Sequence, residues 1–229
     1  MKRFYKDVTV EEQAGDHAVH LDGRPIRTPA RAPLILPTKA LARAIAGEWE
    51  AQAEEVDPRS MPLTGLANAA IDRVSQDRAA FAEGLSRYGE GDLLCYRAEG
   101  PDSLVSRQGA IWDPLLEWGR SRFDVDFTLV RGIMHSPQPA STLERLAGAV
   151  ASRNAFELAG LSPLVTISGS LLIALALAED AIDLDTAWTA ATLDEAWQVE
   201  QWGEDAEAKA ALDARRRDFA AAHRFLTLL

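Results

Sequence analysis

Three carboxylates and two tryptophans stand close together near the C-terminal end of the chain. They are Glu195, Trp197, Glu200, Trp202 and Glu204, inside the stretch from Thr192 to Glu207. Carboxylates four residues apart on a helix, such as Glu200 and Glu204, can do acid–base work on a small molecule. Tryptophan beside carboxylate can instead anchor a protein partner, because indole is enriched in interface hot spots. At about 100° per residue, Leu193, Ala196, Trp197 and Val199 form an apolar arc. Glu200 falls inside that arc, and Glu204 falls at nearly the same angle. Glu195 and Trp202 point the other way. The pattern therefore predicts a carboxylate on the buried face and a tryptophan on the wet face. Such departures from amphipathic patterning tend to mark function. The plainer reading is that Glu200 pairs with an arginine or a backbone amide and Trp202 packs on the next helix.

Other chemistry-bearing residues are dispersed. His17 and His20 lie on opposite faces of one expected strand, and His135 and His223 are far away in sequence. Cys95 is the single cysteine. It excludes an internal disulfide, suits a reducing compartment and reads as a core thiol. Asp124 with Asp126, and Asp183 with Asp185, have the spacing of metal ligands, but each pair stands alone and reads as an acidic loop. The chain has no GxxxxGK(S/T) phosphate loop, no GxGxxG after a strand, no HExxH and no paired CxxC. Neither a cofactor nor a metal is expected.

The elements that carry these residues divide into a β part and a helical part. Val8–Val10 and His17–Leu21 are strand-like, with a turn expected at 14–16 and a hairpin at Asp22-Gly23. Short strands follow around Ile26 and over 33–36. Pro37-Thr38 then opens a helix whose Leu41, Ile45 and Trp49 recur four apart. Two prolines within 57–62 push the chain out of helix, which predicts a domain boundary there. The expectation is an α+β protein: a small antiparallel sheet with one helix at 1–58, then a multihelical domain at 59–229.

Within the second part, helices are expected over 63–74, 77–88, 104–123, 141–158, 161–178, 186–202 and 205–227. Pro114 predicts a kink or break near Asp113. Residues 127–130 read as extended. Ser162 and Pro163 look like the start of a central helix buried nearly all round, with Gly169 permitting a close helix crossing. That stretch is too short and too broken for a membrane span. Thr192 has the position of a cap for the acidic segment, with Glu195 three residues on and Asp194 in the first turn.

Composition bounds the function. Over 229 residues the formal charge is -11, and no basic stripe of a nucleic-acid binder is visible. The acidic balance suits a basic partner surface. The N-terminus lacks an apolar signal core and carries acidic residues early, so a cytoplasmic location is expected. Six tryptophans are present, and three of them, Trp188, Trp197 and Trp202, share one region.

Seven stretches, in order, resemble one family. They are RFYKDVTV at 3–10, LDGRPIRTPARAPLILPT at 21–38, LARAIAGEWEAQ at 41–52, MPLTGLANAAID at 61–72, GDLLCYRAEGP at 91–101, QGAIWDPLLEW at 108–118 and DEAWQVEQWGED at 194–205. The family is that of the ATP synthase assembly chaperones, assembly factor two in mitochondria, known also in α-proteobacteria. The resemblance implies a small β-containing N-terminal domain and a helical C-terminal one. It implies a binding role without catalysis, cofactor or stable membrane insertion. The implied partner is the free α subunit of the ATP synthase catalytic head, shielded without ATP until it meets the β subunit. The implied compartment is the cytoplasm here and the mitochondrial matrix in eukaryotic relatives. A functionally important acidic residue of the family maps to Glu200 or Glu195, and the helical wheel favours Glu200. Trp197, Trp202 and Glu204 lie beside it as partner-binding candidates. The family motif often continues with a His-Asp dipeptide; GEDAEAKAALD lacks that histidine, and nothing carries over there. The rival class is a small-molecule enzyme using Glu200 and Glu204. A deep pocket with converging polar groups would favour the enzyme, and a broad patch with Trp or Glu would favour the chaperone.

Overall fold

The computed structural model describes residues 2–13, 15–132 and 134–229. Of the turn expected at 14–16, Ala14 lies outside the described residues. The chain divides into two compact units. One comprises Met1–Arg78, Asn154–Gly160 and Ala221–Leu229; the other comprises Ala79–Arg153 and Leu161–Ala220.

The first unit is built on an antiparallel sheet of β1 (Val8–Gln13), β2 (Asp16–Leu21), β3 (Arg24–Pro25) and β4 (Ile35–Leu36). β2 is central: β1 pairs on one side, with Val10 opposite Val19, and β3 and β4 pair with other parts of it. Asp22 and Gly23 have φ of 49° and 75°, the twist a two-residue hairpin between β2 and β3 demands. Helix α1 (Lys39–Glu50) is capped by Thr38, whose hydroxyl accepts from the Leu41 N–H. It buries Leu41 and Ile45 against the sheet, in a core with Val19, Leu34, Leu36 and Phe225.

This unit does not stop at residue 58. Glu48 of α1 accepts from the backbone N–H groups of Leu63 and Thr64, each at 2.8 Å, and from the Thr64 hydroxyl at 2.7 Å. A carboxylate at a helix N-terminus answers its exposed donors and its dipole. Helix α2 (Pro62–Asp72) is thereby tied to α1, and the prolines at 58 and 62 mark a corner inside the unit.

The second unit is helical, with a minor parallel pair of β5 (Tyr96–Arg97) and β6 (Val130–Arg131). The stretch expected to be extended at 127–130 supplies the first residue of β6. Helix α3 (Arg78–Ser86) is followed by α4 (Asp102–Phe123), which runs unbroken through Pro114. Ala110, whose carbonyl loses its helical partner there, is exposed, while Trp112, Leu115 and Leu116 are buried and hold the helix on course. The expected break is thus absent.

Further expectations are corrected. Helix α5 (Ala140–Ala151) stops early, and α6 (Ala155–Ser168) starts well before Ser162, with Pro163 inside it. Asn154 begins α6: its side chain accepts from the N–H of Phe156 and Glu157, and Glu157 accepts from the N–H of Asn154 at 2.7 Å. That reciprocal capping box is the stronger signal. The expected single helix over 161–178 is cut at Gly169, whose φ of 66° is left-handed. A Cβ there would touch nothing within 4 Å, so Gly169 serves a turn and not a close crossing. Ser170 then caps α7 (Leu171–Ala178), in which Leu171–Leu177 are all buried.

The expected helix over 186–202 is also two, α8 (Leu184–Ala191) and α9 (Leu193–Trp202). The Ala190 carbonyl, which a continuous helix would bond to residue 194, instead accepts the Trp112 indole N–H at 2.9 Å. The last helix, α10 (Ala206–Thr227), buries Phe219 and Phe225. Among the described residues no helix is long and apolar enough to cross a membrane.

Candidate partner-binding site

Helix α9 carries most of the candidates. Its start is anchored: Leu193 is buried, and Asp194 accepts from the Gln108 side chain at 2.8 Å. The other end of the Gln108 amide accepts the Ala98 N–H at 2.8 Å, so one buried side chain ties α4, α9 and the segment after β5. Thr192 does not cap α9. Its hydroxyl donates to the Trp188 carbonyl at 2.8 Å.

From Gln198 onward every residue through Ala211 is exposed. Glu200 therefore does not lie on a buried face. The wheel assumed a neighbour covering the whole length of α9, but packing covers only its first turns. Glu200 accepts both bonds of one Arg107 nitrogen, at 2.7 and 2.8 Å, and its side chain remains 53% exposed. Glu195 is half-buried and binds Arg215 at 2.7 and 2.9 Å. Exposed ion pairs of this kind contribute about 0.2–1 kcal/mol each, so they orient the carboxylates more than they stabilise the fold.

Trp202 fulfils the expectation of a wet tryptophan at 75% exposure. Its ring meets that of half-buried Trp197 edge-on, with centroids 5.9 Å apart. Val199 adds apolar surface beside them at 41% exposure. Gly203, with φ of 88°, ends the helix directly after Trp202. Glu204 consequently leaves the helical register and does not continue the line of Glu200; its oxygen sits 3.9 Å from the Lys209 amine.

This geometry lacks what acid–base catalysis needs. Glu200 and Glu204 stand open to solvent, each next to its own cation, and no third group converges on them. Trp112 and Cys95 are core residues. Burial, with the nearby Asp92 carboxylate, pushes the Cys95 thiol up to about 12, so its thiolate is inaccessible near neutrality. Among the described residues no three of His, Cys, Asp and Glu gather as they would around a metal ion.

Sequence reasoning missed Arg107 and Arg215, which lie 93 and 20 residues from their partners and carry no local signal. It noted Gln108 but not its bridging role. Asp92, a fully buried carboxylate, also escaped notice, although its place after Gly91 and before an apolar run is that of a capping residue.

The chain holds a sheet unit and a helical unit, and the helical unit carries an exposed aromatic tip flanked by carboxylates. Comparison with known proteins gives the class. Residues 2–120 match the family described as ATP12 chaperone protein, and the chain belongs to that family. It is similar to the mitochondrial protein atp12 of Schizosaccharomyces pombe, with 28% identity over 215 residues, 88% of this chain and 74% of that protein. It is similar to the crystal structure of Atp12 from Paracoccus denitrificans, with 42% identity, a TM-score of 0.95, and 99% of this chain and 97% of that one covered. A solved chain from Agrobacterium tumefaciens gives 43% identity, a TM-score of 0.95, and 99% and 85% coverage. The two solved structures come from α-proteobacteria, and the family is one of assembly chaperones, not enzymes.

Proposed function

We propose that the protein is an ATP-independent assembly chaperone for the free α subunit of the ATP synthase catalytic head. It binds that subunit in the cytoplasm and covers the surface that later meets the β subunit. The observation that carries the reading is Trp202, a large indole left 75% exposed at the end of α9 beside Glu195, Glu200 and Glu204. Exposed indole is costly in water and valuable in an interface. A subunit taken out of its ring exposes apolar surface and arginines that lack their partners, which is an aggregation hazard. An acidic, aromatic tip meets both needs. The family match supports the class of partner, and the chain's charge of -11 supports a basic client surface.

The test is capture of the client. A pull-down from native cytoplasm, read by mass spectrometry, is expected to recover the α subunit without added nucleotide. In parallel, the purified chain is expected to suppress aggregation of freshly diluted α subunit. Absence of the α subunit under gentle conditions, with no protection in the second assay, overturns the reading.

A further inference from the structure

The first unit has a second surface of opposite character. An open trough of about 630 Å³ is lined by Phe4, Tyr5, Leu21, Ile26 and Trp49, with Asp22, Arg24, Pro25 and Arg27 on its walls. Leu21, Ile26 and Tyr5 are buried and make an apolar floor. The Tyr5 ring meets Phe4 at 5.3 Å and Trp49 at 5.6 Å, both edge-on. Phe4 is 63% exposed, although its neighbour Tyr5 is only 5% exposed. A large apolar ring is thus held at the rim, in water, next to a buried tyrosine.

The walls of this trough carry two guanidiniums against one carboxylate, a positive balance in a chain that is strongly negative overall. Arg24 and Arg27 are exposed on its wall, and Lys6 is exposed beside Tyr5. The Arg3 guanidinium lies over the Tyr5 ring at 4.8 Å. The one wall carboxylate, Asp22, is already engaged by the backbone N–H groups of Lys6 at 3.0 Å and Asp7 at 2.9 Å. Those bonds, Asp7 first, lower its affinity for protons. The trough therefore offers an apolar floor, an aromatic rim and two exposed guanidiniums, of which Arg27 already gives one donor to the Arg31 carbonyl at 2.9 Å and keeps the rest of its fork for a carboxylate.

We propose that this trough is a docking site for an acidic polypeptide segment that carries a large apolar side chain between its carboxylates. The apolar side chain lies over Leu21 and Ile26 against Phe4 and Trp49. The flanking carboxylates reach Arg24 and Arg27, which sit on either side of Pro25-Ile26. A compact phosphate ligand is a poorer match. The two exposed arginines are three residues apart, whereas a phosphate site converges its donors on one point. An extended chain can meet separated charges while it covers the floor. This site suits a partner opposite in charge to the one that suits Trp202 and its carboxylates.

The experiment is a titration of the full-length, isotope-labelled chain followed by amide NMR, with acetyl-Glu-Phe-Leu-Asp-amide as the probe. The expected result is saturable shifts confined to residues around 4–6, 21–27 and 49. Arg24→Glu combined with Arg27→Glu is expected to weaken binding about tenfold or more, because a contacting charge is reversed at each end. Phe4→Ala is expected to weaken it several-fold, and since Phe4 is exposed this variant keeps its fold. The probe acetyl-Lys-Phe-Leu-Lys-amide is expected not to saturate. Four outcomes each overturn the proposal: no saturable shift, equal binding of the lysine probe, undiminished binding by the double variant with an unchanged spectrum elsewhere, or ATP producing the same shifts and displacing the peptide.

Discussion

Trp202 and Glu200 present separable roles at the level of single residues. Trp202 is exposed and ends its helix, so Trp202→Ala is expected to leave thermal stability within about 0.5 kcal/mol of the parent. Protection of the α subunit is expected to fall strongly, because truncating a central indole commonly costs about 2 kcal/mol or more of binding. Glu200 is already bonded to Arg107, which complicates a simple deletion. The informative comparison is Glu200→Gln against Arg107→Ala. Each removes the same exposed pair, so each is expected to cost the fold about 0.5 kcal/mol. Only Glu200→Gln is expected to weaken client binding, since Arg107→Ala leaves the carboxylate available to a client arginine. Thermal unfolding and aggregation suppression should be measured on both. Equal binding losses would make the pair structural, and the acidic role would then pass to Glu195 or Glu204.

At the level of elements, the join between α6 and α7 is organised by Asp92. Its carboxylate accepts the Ser170 hydroxyl at 2.7 Å, the Leu172 N–H at 3.0 Å and the Leu94 N–H at 3.1 Å. It thereby holds the turn before β5 to the N-terminus of α7, the most deeply buried helix. Burial outweighs these bonds and pushes the Asp92 carboxyl up to about 6. Between roughly pH 4 and 6 the folded state then keeps a proton that the unfolded chain has lost. This contribution is fully present below about pH 4 and is lost as pH rises through about 6; it amounts to on the order of 3 kcal/mol. Asp92→Asn cannot titrate. Urea unfolding of both proteins at several pH values is therefore expected to show the parent losing stability relative to the variant from pH 4 to 7. A difference that stays flat with pH would mean that burial and the hydrogen bonds cancel at Asp92, and a parent that gains stability as pH rises would mean that the bonds dominate. At low pH the variant is expected to be the less stable of the two, because an amide cannot accept all three bonds.

For the whole molecule, net charge governs how a partner arrives. At -11 the chain attracts a basic client surface over a distance set by screening, a Debye length of about 8 Å at physiological salt. Association with the α subunit is expected to slow as ionic strength rises, while dissociation changes less, since it depends on desolvated aromatic contacts. Stopped-flow tryptophan fluorescence at several salt concentrations reads both rates. An association rate indifferent to salt would remove steering and leave apolar shielding through Trp202, Trp197 and Val199 as the mode of capture.

The sequence by itself determined the class of fold, the family and the strands and first helix of the sheet unit. Hairpin chemistry at Asp22-Gly23, the four-residue spacing of Leu41, Ile45 and Trp49, and the apolar run at 171–177 are local signals, because turn geometry and helical periodicity act within a few residues. It also marked Trp202 as a tryptophan facing water. Only tertiary structure decided which parts of α9 are covered. A wheel gives the angle of Glu200 but not whether the fold buries that angle, and beyond Trp197 every residue of α9 is exposed. The same holds for the cuts at Thr192 and Gly169. The first coincides with a Trp112 indole N–H that takes a carbonyl from a helix 78 residues away, and the second with an Asp92 carboxylate that binds the next helix start from 80 residues away. Such partners are chosen by burial, which forces each polar group to find a bond wherever the fold provides one. No local pattern in the chain records that choice.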